Sequence, residues 1–209
     1  MKGVYITFEG PESCGKSEQV RRIAEALKTE GYDVLTTKQP GGTEIGKKLR
    51  EVLLYSGKPL PITESLLFWA DRYEHYETVV KPALMKGMVV LGDRDADTSW
   101  AIQVNGRGIS PEWMEGIQNL VVQNYKPDLT ILYGGSISTF LQRMKNREKP
   151  LTRFDSEEKE FHERSQEGFI MRYKSDPKRI RLISAMPPAD TVFKETYTII
   201  SDFLKQRYL

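Results

Sequence analysis

The sequence predicts an α/β protein built on a mainly parallel, five-stranded sheet flanked by helices. Short apolar runs rich in β-branched and aromatic residues alternate with longer stretches whose apolar residues recur at helical spacing, the pattern of strands joined by crossover helices. Polar clusters at Glu9, Lys38, Asp93 and Gly134 follow the apolar runs, and ligands in such sheets sit beyond the carboxyl ends of the strands. The 209 residues are enough to bury a substantial core and fit one domain over 1–209.

The elements follow in order. Val4-Tyr5-Ile6-Thr7-Phe8 is a short strand that stops at Glu9-Gly10-Pro11. A helix carries Val20, Ile23, Ala24 and Leu27 on one face, and Gly31 closes it. Asp33 to Thr37 is the second strand. After the Pro40-Gly41-Gly42 turn, Ile45, Leu49, Val52 and Leu53 mark an amphipathic helix, and Gly57 to Pro61 is a loop. Ile62 to Lys86 reads as a long helix that Pro82 should kink or divide, with Trp69 in the core and His75 on the helix surface. Met88 to Gly92 is an apolar strand delivering Asp93 and Arg94 at its end.

Asp95 to Gly108 is polar and contains glycine, so a loop with a short helical piece is expected. Ser110-Pro111 supplies an N-cap and a proline at the first helical position. Leu129 to Tyr133 is the fourth strand, ended by Gly134-Gly135. The basic stretch from Arg143 to Arg153, with Pro150 inside it, suits a solvent-facing loop. Glu157 to Tyr173 reads as a helix, Arg181 to Ala185 as the fifth strand, and Thr191 to Leu204 as the last helix.

Composition narrows the function. Lys plus Arg number 31 against 29 Asp plus Glu, and this near balance argues against a nucleic-acid partner or a polybasic membrane anchor. A single cysteine, Cys14, excludes an internal disulfide framework, and two distant histidines, His75 and His162, make a poor zinc centre. No apolar run approaches the ~20 residues that span a bilayer, and the start meets Glu9-Gly10 too soon for a signal peptide. A cytoplasmic protein acting on a small molecule is expected.

The strongest motif is Gly10-Pro11-Glu12-Ser13-Cys14-Gly15-Lys16-Ser17, a full match to G-x-x-x-x-G-K-[ST] between a strand and a helix. Such a loop turns backbone N–H groups and a helix N-terminus toward phosphate oxygens. Lys16 can reach the β and γ phosphates of a nucleoside triphosphate, and the Ser17 hydroxyl can ligate Mg2+. Asp93, at a strand end, can hold the metal or its waters beside Ser17. Cys14 reads as a small residue tolerated where backbone does the binding. The Asn-Lys-x-Asp motif of a GTPase is missing, whereas Arg50, Arg72, Arg94, Arg107, Arg143, Arg147 and Arg153 suit a kinase that must neutralise a transferring phosphoryl group.

The chain resembles the thymidylate kinase family over nearly its whole length. Lys38-Gln39-Pro40-Gly41-Gly42-Thr43 is similar to the family's Thr-Arg-Glu-Pro-Gly-Gly-Thr segment, continued by Ile45-Gly46 and Leu49-Arg50. Leu66 to Arg72 resembles its base-binding helix. Asp93-Arg94 opens its Asp-Arg-Tyr motif, with Asp97-Thr98-Ser99, Gln103 and Gly106-Arg107-Gly108 following at the family spacing, and Arg153-Phe154 sits where the lid's arginine-aromatic pair belongs. The resemblance implies a P-loop NTPase fold, transfer of phosphate from ATP to dTMP with Mg2+, and a homodimer.

Residue by residue, it implies that Gly10 to Ser17 hold the donor phosphates, and that Phe68 stacks on the acceptor base while Arg72 bonds its edge. Arg50 and Arg94 would hold the acceptor phosphate, Asp93 and Glu12 would organise metal and water, and Ser99, Gln103 and Lys38 would complete the acceptor site. Arg143, Arg147 and Arg153 belong to a lid within about 142–156 that closes over the donor and supplies the catalytic arginine, as in the bacterial type. Departures fall on the acceptor side. Gln39 removes a carboxylate, Asp95 replaces a tyrosine and adds charge near the incoming phosphates, Ile102 replaces a tyrosine, Val104 a glycine and Gly134 an aspartate. A kinase for another nucleoside monophosphate, or a nucleotide-binding protein that has lost transfer, are the alternative readings.

Overall fold

The computed structural model describes residues 3–123, 125–146, 148 and 150–208. Its sheet contains β1 (Val4–Glu9), β2 (Val34–Lys38), β3 (Val89–Asp93), β4 (Leu129–Gly134) and β5 (Ile180–Ser184), in the order β2-β3-β1-β4-β5. All four pairings are parallel. The chain builds to one side of β1 and then to the other, so β1 is the switch point, where an open α/β sheet leaves a crevice beyond its strand ends.

Helices α1 (Lys16–Thr29), α2 (Glu44–Tyr55), α3 (Pro61–His75), α4 (Lys81–Met85), α5 (Ala96–Ser99), α6 (Pro111–Val122), α7 (Ile137–Lys145), α8 (Lys159–Ser175) and α9 (Ala189–Tyr208) cover the two faces. Strand alternation divides the core. Val4, Ile6 and Phe8 join Ile23, Leu27, Ile200 and Leu204 on one side, whereas Tyr5 packs with Trp69, Tyr76, Val80, Val90 and Met114 on the other. No helix among the described residues is long and apolar enough to cross a membrane.

The long helix is divided ahead of Pro82 as expected, by a change of helix type and not by a break, and one other expectation is corrected. Tyr76–Val80 is a π segment and Pro82 lies at the start of α4, where its missing N–H costs little. Residues 96–106 form no loop: α5 runs directly into a second π segment, Trp100–Gly106. Its polar residues look loop-like in sequence because their partners are remote. Thr98 donates to Glu9 in a short contact, Asp97 pairs with Arg172 and Arg179, and Gln103 donates to Glu64.

Candidate active site

The glycine loop is shaped by close approach. Gly10 has φ 136°, and a Cβ there would lie 2.5 Å from the Tyr133 carbonyl oxygen, so only glycine lets the loop leave β1 against β4. Lys16 begins α1, and its Nζ donates to the Gly10 carbonyl at 2.9 Å and to that of Pro11 at 2.7 Å. On β3 the alternation that sends Val89 and Leu91 to the α1 side also sends Asp93 there. Ser17 Oγ meets it, donating to Asp93 Oδ2 at 2.5 Å. Gly10, Pro11, Glu12, Ser13, Cys14, Gly15, Lys16 and Ser17 thus stand together at the C-terminal end of the sheet. A cleft of ≈220 Å3 is bounded by Glu12, Lys16, Ser17, Lys38, Arg50, Asp93 and Arg94, residues far apart in sequence.

Arg94 takes φ 72°, a left-handed conformation that costs a non-glycine residue about 1–2 kcal/mol. Its surroundings hold it there. The backbone N–H donates to Phe8 O at 3.0 Å, Nη1 donates to Gly10 O and to Thr98 Oγ1, both at 3.1 Å, and Nη2 to Glu12 Oε1 at 2.6 Å. The turn breaks strand alternation, leaving Asp93 toward α1, Arg94 against the phosphate loop, and Asp95 buried against α3. Asp95 therefore does not face the cleft, contrary to the expectation of extra charge beside the phosphates. It pairs with Arg72, accepts a short bond from Tyr76 OH, and its N–H donates to Glu9 Oε1 at 2.7 Å.

Arg72 is only 2 % exposed. Its Nε donates to Gln39 Oε1 at 2.7 Å, Nη1 to Ser99 Oγ at 3.0 Å and Nη2 to Asp95 O at 3.0 Å, while the guanidinium lies 4.4 Å over the Trp69 ring. His75, expected on the helix surface, is fully buried beside it. Because Gln39 Oε1 is occupied by an arginine that can only donate, Gln39 Nε2 donates to His75 Nδ1 at 2.9 Å. The imidazole proton is thereby assigned to Nε2, which donates to Thr37 Oγ1 at 2.5 Å. Burial, with Arg72 adding to it, pulls the His75 pKa down to about 4.

Phe68 packs at 6.0 Å between ring centroids on Phe154, within a cluster that includes Leu53, Leu54, Ile102 and Phe161. Glu64 anchors this wall: Gln103 Nε2 donates to it at 2.9 Å, and Arg107 and Arg153 pair with it at 3.2 and 2.6 Å. The basic stretch is therefore not a solvent-facing loop throughout. Arg143 sits on the last turn of α7 and donates to Ala185 O at 3.1 Å. Arg153, expected over the donor, is 11 % exposed and is held instead by buried Glu64 and the Leu53 carbonyl. Arg147 lies outside the described residues. Lys38 and Arg50 line the cleft, and Arg50 Nη1 donates to Pro40 O at 2.9 Å.

Glu64 lies outside every motif, Glu9 stands in the sequence only as a polar residue at a strand end, and Gln39 only as a departure that removes a carboxylate. Glu9 was legible from alternation, since it shares a face with Tyr5 and Thr7 at the end of β1. Burial, with Asp97 second, pushes its pKa up to about 8. Glu64 offered no local signal.

The family model for thymidylate kinase matches residues 8–196. The chain belongs to the thymidylate kinase family. It is 38% identical over 203 residues to a thymidylate kinase of Methylobacillus flagellatus, covering 97% of this chain and 99% of the relative. It is also 38% identical over 207 residues to one from Pseudomonas fluorescens, covering 98% of each. The crystal structure of thymidylate kinase from Ehrlichia chaffeensis superposes with a TM-score of 0.79 at 28% identity, over 96% of this chain and 100% of that one. Membership makes the chain a nucleoside monophosphate kinase of P-loop NTPase fold.

Proposed function

We propose that the chain transfers the terminal phosphoryl group of ATP to the phosphate of dTMP, giving ADP and dTDP. The observation that carries this reading is the single cleft in which the phosphate loop faces Arg50, Asp93 and Arg94. A loop that binds a triphosphate explains Lys16 and Ser17. Cations on the opposite wall serve a second anionic substrate.

The donor phosphates lie along Gly10 to Lys16. Arg94 and Arg50 hold the acceptor phosphate, and Arg72 with Phe68 receives the base, Ser99 and Gln103 supporting that wall. An acceptor phosphate oxygen is already a competent nucleophile, so no general base is needed, and the protein's work is alignment, charge neutralisation and exclusion of water. Ser17 and Asp93 present a hydroxyl and a carboxylate oxygen in contact, a donor set that suits Mg2+, a hard ion. Among the described residues no group of three or more His, Cys, Asp or Glu gathers at one point, and an ion held chiefly by nucleotide phosphates requires none. When bound, the ion would neutralise phosphate charge.

The segment within about 142–156 is assigned as the lid, Arg143 and Arg153 reorienting over the donor as it closes. A homodimer is the accompanying assembly. An exposed apolar strip of Ile45 and Val52 on α2 with Ile62, Leu66 and Tyr73 on α3 supports it. ATP and nucleotide substrates fit a cytoplasmic location.

A panel of nucleoside monophosphates with ATP and Mg2+ tests the acceptor. dTMP is expected to give the highest kcat/KM, and inertness toward dTMP beside rapid turnover of another monophosphate would move the assignment. In the same assay Lys16→Ala and Arg94→Ala should each lower kcat about a hundredfold. An unchanged kcat for Arg94→Ala would remove it from the reacting centre.

A further inference from the structure

Arg72 carries a buried positive charge, and a guanidinium taken out of water needs a carboxylate and filled hydrogen bonds to stay in one orientation. Its Nε faces two acceptors at once, the neutral amide oxygen of Gln39 at 2.7 Å and the Asp95 carboxylate at 3.2 Å. Asp95 also offers its main-chain oxygen to Nη2. One residue therefore touches two of the three guanidinium nitrogens, and Ser99 fixes the third. Because the guanidinium is planar and rigid, these contacts set its plane and the direction of its remaining N–H bonds.

We propose that Asp95 is the positioning residue for acceptor recognition: it supplies the negative charge that locks Arg72, with Gln39 as its neutral partner on the same Nε. The two departures at 39 and 95 are then one change, a carboxylate moved from one side of the guanidinium to the other. The anchoring extends inward. Asp95 N–H is held by Glu9, and Gln39 by neutral His75, so both partners are fixed independently of the ligand. The assignment rests on the acceptor-binding role given to Arg72 above.

The pairing is tested by steady-state kinetics on Asp95→Asn, Gln39→Glu and the double variant. The acceptor is dTMP, or whichever monophosphate the wild type turns over fastest, so that a wrong acceptor overturns the function above and leaves this test intact. Asp95→Asn is expected to raise the acceptor KM about tenfold with kcat within about threefold and the KM for ATP unchanged. Gln39→Glu alone crowds two carboxylates onto one cation and should lower Tm. The double variant restores the charge on the other side and should return the acceptor KM to within about threefold of wild type. An unchanged acceptor KM in Asp95→Asn overturns the proposal, as does a parallel rise in the KM for ATP. If Asp95→Asn does not fold, the double variant decides: a wild-type-like acceptor KM supports the proposal and a KM raised tenfold overturns it.

Discussion

His75 shows how a single residue escapes a sequence reading and still governs a site. Phe68, Arg72 and His75 share one face of α3 at helical spacing, but two of the three are polar, so the repeat suggests a surface. What buries the two polar ones is a set of partners remote in the chain: Thr37, Gln39, Asp95 and Ser99. Gly42 makes the fit possible, since a Cβ there would lie 2.4 Å from His75 Cδ2. The buried imidazole has a consequence for stability. Its pKa falls from 6.5 in the unfolded chain to about 4 in the fold, so between those values the unfolded state binds the proton and the folded state does not. Stability from this group is thus complete above pH 6.5 and is lost as pH falls toward 4. Glu9 acts in the opposite sense: its pKa, raised from 4.5 to about 8, makes its contribution fall as pH rises through that range. Comparing wild type with His75→Gln separates the two. On going from pH 7 to pH 5, urea unfolding should show the wild type losing about 2 kcal/mol more than the variant. Equal losses would mean that the folded protein already carries a protonated His75.

Elements were legible where local chemistry decides them and illegible where tertiary partners do. Ser110-Pro111 announced α6, and the structure has Ser110 Oγ accepting from Trp113 N–H at 3.1 Å with Pro111 in the first turn. Ser110→Ala should cost about 1 kcal/mol in urea unfolding, and a loss near zero would show that the proline alone fixes the helix start. The segment from Ala96 to Gly106 is the converse case. Its side chains are satisfied by Glu9, Glu64, Arg72, Arg172 and Arg179, none of which is local, and so a buried helix read as a loop. The basic stretch misled for the same reason: Arg153 is drawn inward by Glu64, a carboxylate more than eighty residues away. The glycine loop, by contrast, was readable because its geometry belongs to the backbone, and both glycine spacing and flanking elements are local.

At the scale of the molecule, alternation of strands and helices fixed a parallel sheet, and the order β2-β3-β1-β4-β5 then follows from β1 lying at the switch point. That order brings Asp93 and Arg94 from β3 beside the loop after β1, with Lys38 from β2 next along. The sheet thus gathers three distant segments around one cleft. The near-zero net charge conceals this segregation: Arg50 and Arg94 line the cleft, Glu12 pairs with Arg94, Asp95 with Arg72, and Glu64 with Arg107 and Arg153. Phosphoryl transfer between two nucleotides is followed by incubating the protein with ATP labelled with 32P at the γ position, Mg2+ and dTMP, then separating the products. The label is predicted to appear in dTDP in step with ADP formation. Label released as inorganic phosphate, or retained in ATP with dTMP unconsumed, would rule out transfer to dTMP.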